Sequence, residues 1–171
     1  MIRNRNKVTL VLKVLVFILL VAGLARFIVW QPYIIPSSSM EPTLVPGDRI
    51  LVNRLAYRFW APNRGDIVVF AYPLDPRRTF VKRIIALEGE TVELRDNQVY
   101  INGQVLKEEY LKAGDYPPYG PEAVPKDKVL VLGDNRRQSG DSRDWGLLPK
   151  SDLIGKAWII YYPVQRFRSF W

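Results

Sequence analysis

The sequence contains no cysteine and no histidine. The first absence excludes disulfides, thiol nucleophiles and thiolate metal sites. It leaves the compartment open, because an extracytoplasmic protein need not carry disulfides. The second removes imidazole ligands, so a zinc site of common type is not expected. It also removes the usual base of a serine nucleophile. Long basic runs are lacking too. Arg3, Arg5, Lys7 and Lys13 hold half of the net charge of +8 ahead of position 14, and the remainder is only mildly basic. That is a weak footprint for nucleic acid, and no nucleic-acid partner is expected. Helical periodicity is missing after residue 30, and no internal repeat is visible.

What is present begins with an apolar run. Residues 8–30 read VTLVLKVLVFILLVAGLARFIVW, with no charge from Val14 to Ala25. About 20 apolar residues span a bilayer, and flanking Lys13 and Arg26 can snorkel to the headgroups. Trp30 and Tyr33 suit the far interface. The expected organisation is therefore a basic tail and anchor over 1–30, then a β-rich domain over 31–171. The positive-inside rule keeps the N-terminus cytoplasmic and puts the rest on the opposite side. A competing reading is a cleaved signal peptide, with GLA at 23–25 before the cut. Against it, the apolar character continues through FIVW.

Beyond Pro36 the pattern changes to short runs bounded by Gly, Pro, Asn or Asp. Residues 48–55, 66–72, 79–87, 90–94, 98–103, 128–134 and 154–162 are rich in β-branched and aromatic residues. They read as strands of a mainly antiparallel β domain. ETVELRDNQVYING reads as a hairpin turning near Asp96–Asn97. A smaller lobe is expected near 88–127. KAGDYPPYGPEAVPK (112–126) reads as a long irregular connector. The closing RFRSFW (166–171) suits either a membrane surface or the edge of the core.

Four islands carry candidate chemistry: PSSSMEPTL (36–44), RGDIVVF (64–70), FVKRIIALEG (80–89) and GDNRRQSGDSRDWG (133–146). Taken singly, each has a dull explanation. Serines between prolines usually form a turn, RGD usually feeds a strand, and Asp141 with Arg143 can be a simple ion pair. The strand lysine gains weight from its neighbours. Strand alternation puts Lys82 on one face with Phe80 and Ile84. An amine held among apolar groups loses hydration of its charged form, so its pKa falls. A neutral amine can accept a serine proton, and serine–lysine pairs need no histidine.

In this order the islands, behind an N-terminal anchor, resemble the type I signal peptidase family. The resemblance covers most of the chain through P-S-x-S-M-x-P-T, R-G-D-I-V-x-F, a strand K-R, and G-D-N-R-x-x-S-x-D-S-R. It implies a membrane-bound serine endopeptidase of antiparallel β fold that removes signal peptides from translocated preproteins. Ser39 matches the nucleophile and Lys82 the general base. The Ser37 hydroxyl and the Ser39 N–H match the oxyanion-hole donors. Ser139 matches the residue that orients the lysine, and Asp134, Asp141 and Arg143 match supporting positions. Ile35, Pro36, Leu44, Phe80 and Val81 match the lining of pockets for small residues at the first and third positions before the cut.

The resemblance further implies no metal or cofactor. It implies a single-pass location in a cytoplasmic or thylakoid-like membrane, with the catalytic domain extracytoplasmic or lumenal and the lipid bilayer as a partner. Two departures stand out: Ser38 replaces a frequent glycine, and LEGE (87–90) replaces a frequent L-P-G-D. The rival readings are a self-cleaving repressor-type serine–lysine protease and an inactive or non-enzymatic membrane-tethered β domain that binds peptides or lipid headgroups. The anchor argues against the first. The penicillin-binding type is disfavoured because no S-x-x-K occurs.

Overall fold

The computed structural model describes residues 12–17, 23, 29–111 and 117–170. Most of the expected anchor, and the alternative cut after Ala25, lie outside the described residues. Residues 12–17 are helical with exposed apolar side chains. Among the described residues no helix is long and apolar enough to cross a membrane.

The central strand is β3 (Ile67–Tyr72). Its run IVVF is buried on both faces, as expected of a strand without polar alternation. Ile67 and Val69 enter one core, with Met40, Leu44, Ile50 and Val52. Val68 and Phe70 enter another, with Ile84, Val131 and Leu148. Antiparallel to β3 lies β4 (Asp75–Ala86), which pairs in turn with β9 (Lys128–Leu132). On the other side, β11 (Leu153–Tyr162) joins β3 to β2 (Arg49–Asn53), and β1 (Trp30–Ile34) closes that edge. The short strands β10 (Leu148–Pro149) and β12 (Arg168–Ser169) pair with β9 and β11. The result is an eight-stranded antiparallel sheet.

A second, four-stranded sheet has the order β7-β6-β5-β8. It is built from β5 (Thr91–Arg95), β6 (Gln98–Ile101), β7 (Gln104–Val105) and β8 (Tyr119–Ala123). Asp96 and Asn97 both take positive φ in the β5–β6 hairpin, the conformation that a tight two-residue turn requires. Val92, Leu94, Val99 and Ile101 pack on Ile85, Ala86, Leu130 and Leu132. The small sheet thus sits on the ends of β4 and β9. Two one-turn α-helices lie between strands, α1 (Ala56–Phe59) and α2 (Ser142–Trp145).

One expectation needs correction. The stretch 112–126 is not all connector, because residues 119–123 form β8. Gly120 and Pro121 disguise it, yet proline is tolerated in an edge strand. Gly120 takes φ +81°, and a Cβ there would sit 2.6 Å from Val92 O. Trp30 and Tyr33 belong to β1, paired with Asn53 and Ile50. The C-terminal segment pairs with the sheet, and Phe170 packs against the first core.

Candidate active site

The loop from β1 to β2 carries the three serines. Ile35, Met40 and Leu44 are its buried pegs. Ile35 N donates to Asp48 O at 2.9 Å, and Asp48 accepts from Val45 N and from Arg166. Between the pegs, Ser38–Met40 form a single 3-10 turn. Burial of Met40 therefore holds Ser39 at a fixed height above the core. Ser38 is not among the residues of positive φ. The position does not need glycine's freedom, so the serine fits it.

Strand β4 delivers the lysine. Lys82 stands opposite Val68 and on the same face as Phe80 and Ile84, as alternation requires. It is only 4% exposed. Its Nζ lies 2.7 Å from Ser39 Oγ and 5.6 Å from the centre of the Phe80 ring. Burial pulls the amine down from its ordinary value of 10.5 to about 8, although Asp141 and Asp134 oppose the shift. A useful fraction of Lys82 is then neutral at physiological pH, and the Ser39 hydroxyl can donate to it.

Ser37 is exposed at the start of the 3-10 turn, with its Oγ 3.4 Å from Ser39 Oγ. The Ser37 hydroxyl thus lies against the serine oxygen itself. Early N–H groups of such a turn have no partner inside it.

The segment after β9 approaches the serine loop from behind. Asn135 N donates to Ser39 O at 3.0 Å, and Asn135 Nδ2 donates to Ser38 O at 3.2 Å. A Cβ on Gly133 would overlap both Ser139 and Ser39 O. This close approach requires glycine. Asp134 accepts two bonds from Arg83, at 2.9 and 2.7 Å, and one from Thr43 Oγ1 at 2.5 Å. Asp141 accepts from Arg143 twice at 2.8 Å and from Gly133 N at 3.0 Å, and it caps α2 with Asp144.

The predicted residues are not all joined. Ser139 packs beside Gly133, but its buried Oγ has no hydrogen-bond partner among the described residues. No bond connects it to Lys82. Ile35, Pro36, Phe80 and Val81 line a cleft of about 610 Å³ that opens beside Ser39 and Lys82. Leu44 is wholly buried in the core behind it and does not line it. The LEGE turn is closed without proline. Gly89 takes φ +81°, and Glu90 accepts from Leu87 N at 2.7 Å and from Arg64 at 2.5 Å.

Sequence reasoning missed Asn135, Arg83 and Thr43. Alternation along β4 could have flagged Arg83, since it turns a charge toward the face opposite Lys82. Thr43 closes the P-S-x-S-M-x-P-T motif, but nothing local joins it to Asp134.

The family model of signal peptidase, peptidase S26, matches residues 8–162. The chain belongs to this family. Within it, the chain is 44% identical over 155 residues to a probable signal peptidase I-2 of Synechocystis sp., covering 87% of this chain and 70% of that protein. It is 35% identical over 180 residues to signal peptidase I P of Bacillus subtilis subsp. natto, covering 97% and 95%. A crystal structure of a signal peptidase I from Enterococcus faecalis superposes with a TM-score of 0.51 at 33% identity, over 57% of this chain and 97% of that one.

Proposed function

We propose that this chain is a signal peptidase I, a serine endopeptidase that removes signal peptides from preproteins with Ser39 as nucleophile and Lys82 as general base. The observation that carries the assignment is a buried amine 2.7 Å from a serine oxygen, at the wall of an apolar cleft. A chain without histidine has few other bases to offer.

The chemistry follows from the geometry. Neutral Lys82 takes the Ser39 proton as Oγ bonds to the scissile carbonyl carbon. The carbonyl oxygen gains the charge and is received by the Ser37 hydroxyl and the Ser39 N–H. One such donor typically lowers the barrier by about 3–4 kcal/mol. Collapse breaks the C–N bond, and the Lys82 ammonium protonates the departing amine. Lys82 then takes a proton from water, whose oxygen attacks the acyl carbon; the bond to Ser39 Oγ breaks and the Lys82 ammonium returns the proton to that oxygen.

Asp134, Asp141 and Arg143 act as scaffolding, with no proton of their own to move. Ser139 is the residue assigned to orient Lys82 once substrate is bound, through a buried Oγ that has no hydrogen-bond partner among the described residues. The walls made by Ile35, Pro36, Phe80 and Val81 favour small side chains before the cut.

The run from Val14 to Ala25 anchors the chain in the bilayer, and the basic residues before it stay on the cytoplasmic side. Ser39 follows Trp30 by only nine residues. The cleft then works close to the far membrane surface, where a translocated signal peptide emerges.

The test is cleavage of a preprotein bearing Ala-x-Ala before its cut site, by purified protein in detergent with added lipid. Ser39→Ala and Lys82→Met are run alongside, each checked by circular dichroism. Cleavage by the parent alone is the expected result. Cleavage that survives in either folded variant would refute the pair.

A further inference from the structure

One segment of the small-sheet excursion reaches the machinery around Ser39. Residues 106–111 follow β7, and within them Glu108 points into the large sheet's loop. Glu108 accepts from Arg136 Nη1 at 3.0 Å, from Arg136 Nη2, and from the Tyr110 hydroxyl. The pair is buried, with side chains 3% and 6% exposed for Arg136 and Glu108. The Tyr110 ring covers the Arg83 guanidinium, 3.8 Å from its centre. Two residues of one segment thus cover both arginines behind the serine.

Those arginines hold the backbone that holds Ser39. Arg83 grips Asp134 in a bidentate pair and donates to Gly65 O at 2.9 Å. Arg136 Nε donates to Gly133 O at 3.1 Å. Between Asp134 and Arg136 lies Asn135, whose two donors bind the carbonyls of Ser38 and Ser39. The path is Glu108 to Arg136, to the 133–136 backbone, to the peptide groups on either side of the Ser39 α-carbon. Every link is a hydrogen bond or a peptide bond.

We infer that Glu108, backed by Tyr110, is a positioning residue for the catalytic serine: it fixes the loop that aims Ser39 and its N–H. The inference rests on the peptidase assignment above. A surface salt bridge would carry little weight in such an argument. This one is buried, and truncating Glu108 takes its carboxylate away from the desolvated Arg136 guanidinium. Arg136 then shifts to make up the lost bonds, and the loop it holds shifts with it. Asn135 moves with it, and the nucleophile loses its alignment. Glu108 does not line the cleft, whose walls are Ile35, Pro36, Phe80 and Val81. The loss should therefore fall on turnover and leave substrate binding alone.

The experiment compares full-length parent, Glu108→Ala and Glu108→Gln in detergent, each well below its melting temperature, with the same preprotein. Glutamine keeps the shape and one acceptor, and it carries the test if alanine does not fold. Misplacement of about 1 Å can cost about 100-fold in rate. Accordingly kcat is expected to fall about 100-fold in the alanine variant and about 10-fold in the glutamine variant, with KM within about threefold of the parent. A folded alanine or glutamine variant with parental kcat would overturn the inference. So would a loss expressed mainly in KM. A parent that does not cleave would refute the assignment beneath it instead, so the two failures are distinguishable.

Discussion

Lys82 should cost this protein stability, and replacing it should return that stability. Its burial lowers the amine from 10.5 to about 8. The unfolded chain therefore binds more protons than the folded one between about pH 8 and 10.5. Stability rises with pH across that window, and below it the full penalty applies. At about 1.4 kcal/mol per pH unit the penalty is about 3 kcal/mol. Lys82→Met removes it and fills the slot with an unbranched apolar chain. The variant gives up the bond to Ser39 Oγ, worth about 1 kcal/mol. The net expectation at pH 7 is a gain of about 2 kcal/mol, or about 4–8 °C in melting temperature for a chain of this size. By about pH 11 the lysine no longer costs anything, and the variant should fall about 1 kcal/mol below the parent. Thermal melts of both proteins in detergent at pH 7 and pH 10, followed by near-ultraviolet circular dichroism, decide the matter. A variant that melts below the parent at pH 7 would refute the reasoning. So would a difference that stays the same at both pH values.

Three further outcomes follow from the same geometry. The kcat/KM for a preprotein should rise about tenfold per pH unit on the acid side and level near pH 8, where Lys82 becomes mostly neutral; a stopped assay across pH 5–10 reads this limb. Arg83→Met leaves Asp134 buried beside Thr43 without its cation, and should destabilise the fold by about 3–5 kcal/mol in denaturant titrations. Gly133→Ala drives a methyl group into Ser139 and the Ser39 carbonyl. It should lower kcat by about 100-fold while leaving most of the circular dichroism spectrum intact.

The strands were legible where the chemistry was local. Residues 66–72 and 79–87 announce themselves by β-branched runs, and β3 and β4 occupy them. Lys82 could be placed among apolar neighbours because the period of a strand is fixed at two. Other elements were hidden for physical reasons. β1 continues an apolar run and contains Pro32, so nothing local marks its start. β8 holds a glycine and a proline that read as turn chemistry. The ion pairs behind the serine were invisible because they join distant positions: Arg83 with Asp134, and Arg136 with Glu108. A charged residue in a sequence reads as surface, since burial needs a partner that the sequence does not name. The same limit explains Leu44, which looks like a cleft residue in the motif and is a core residue in the fold.

The small sheet leaves the large one after β4 and returns at β9, and those two strands are neighbours. Residues 87–127 therefore form an excursion whose ends meet at one place. Closing such a loop becomes dearer by only about 0.6 kcal/mol for each doubling of its length. Descendants of this architecture are free to lengthen, shorten or exchange the excursion with little penalty to the sheet that holds Ser39 and Lys82. What restrains that drift is the short stretch carrying Glu108 and Tyr110. An engineer grafting a foreign module here should cut beyond that stretch and keep it as a collar around the splice.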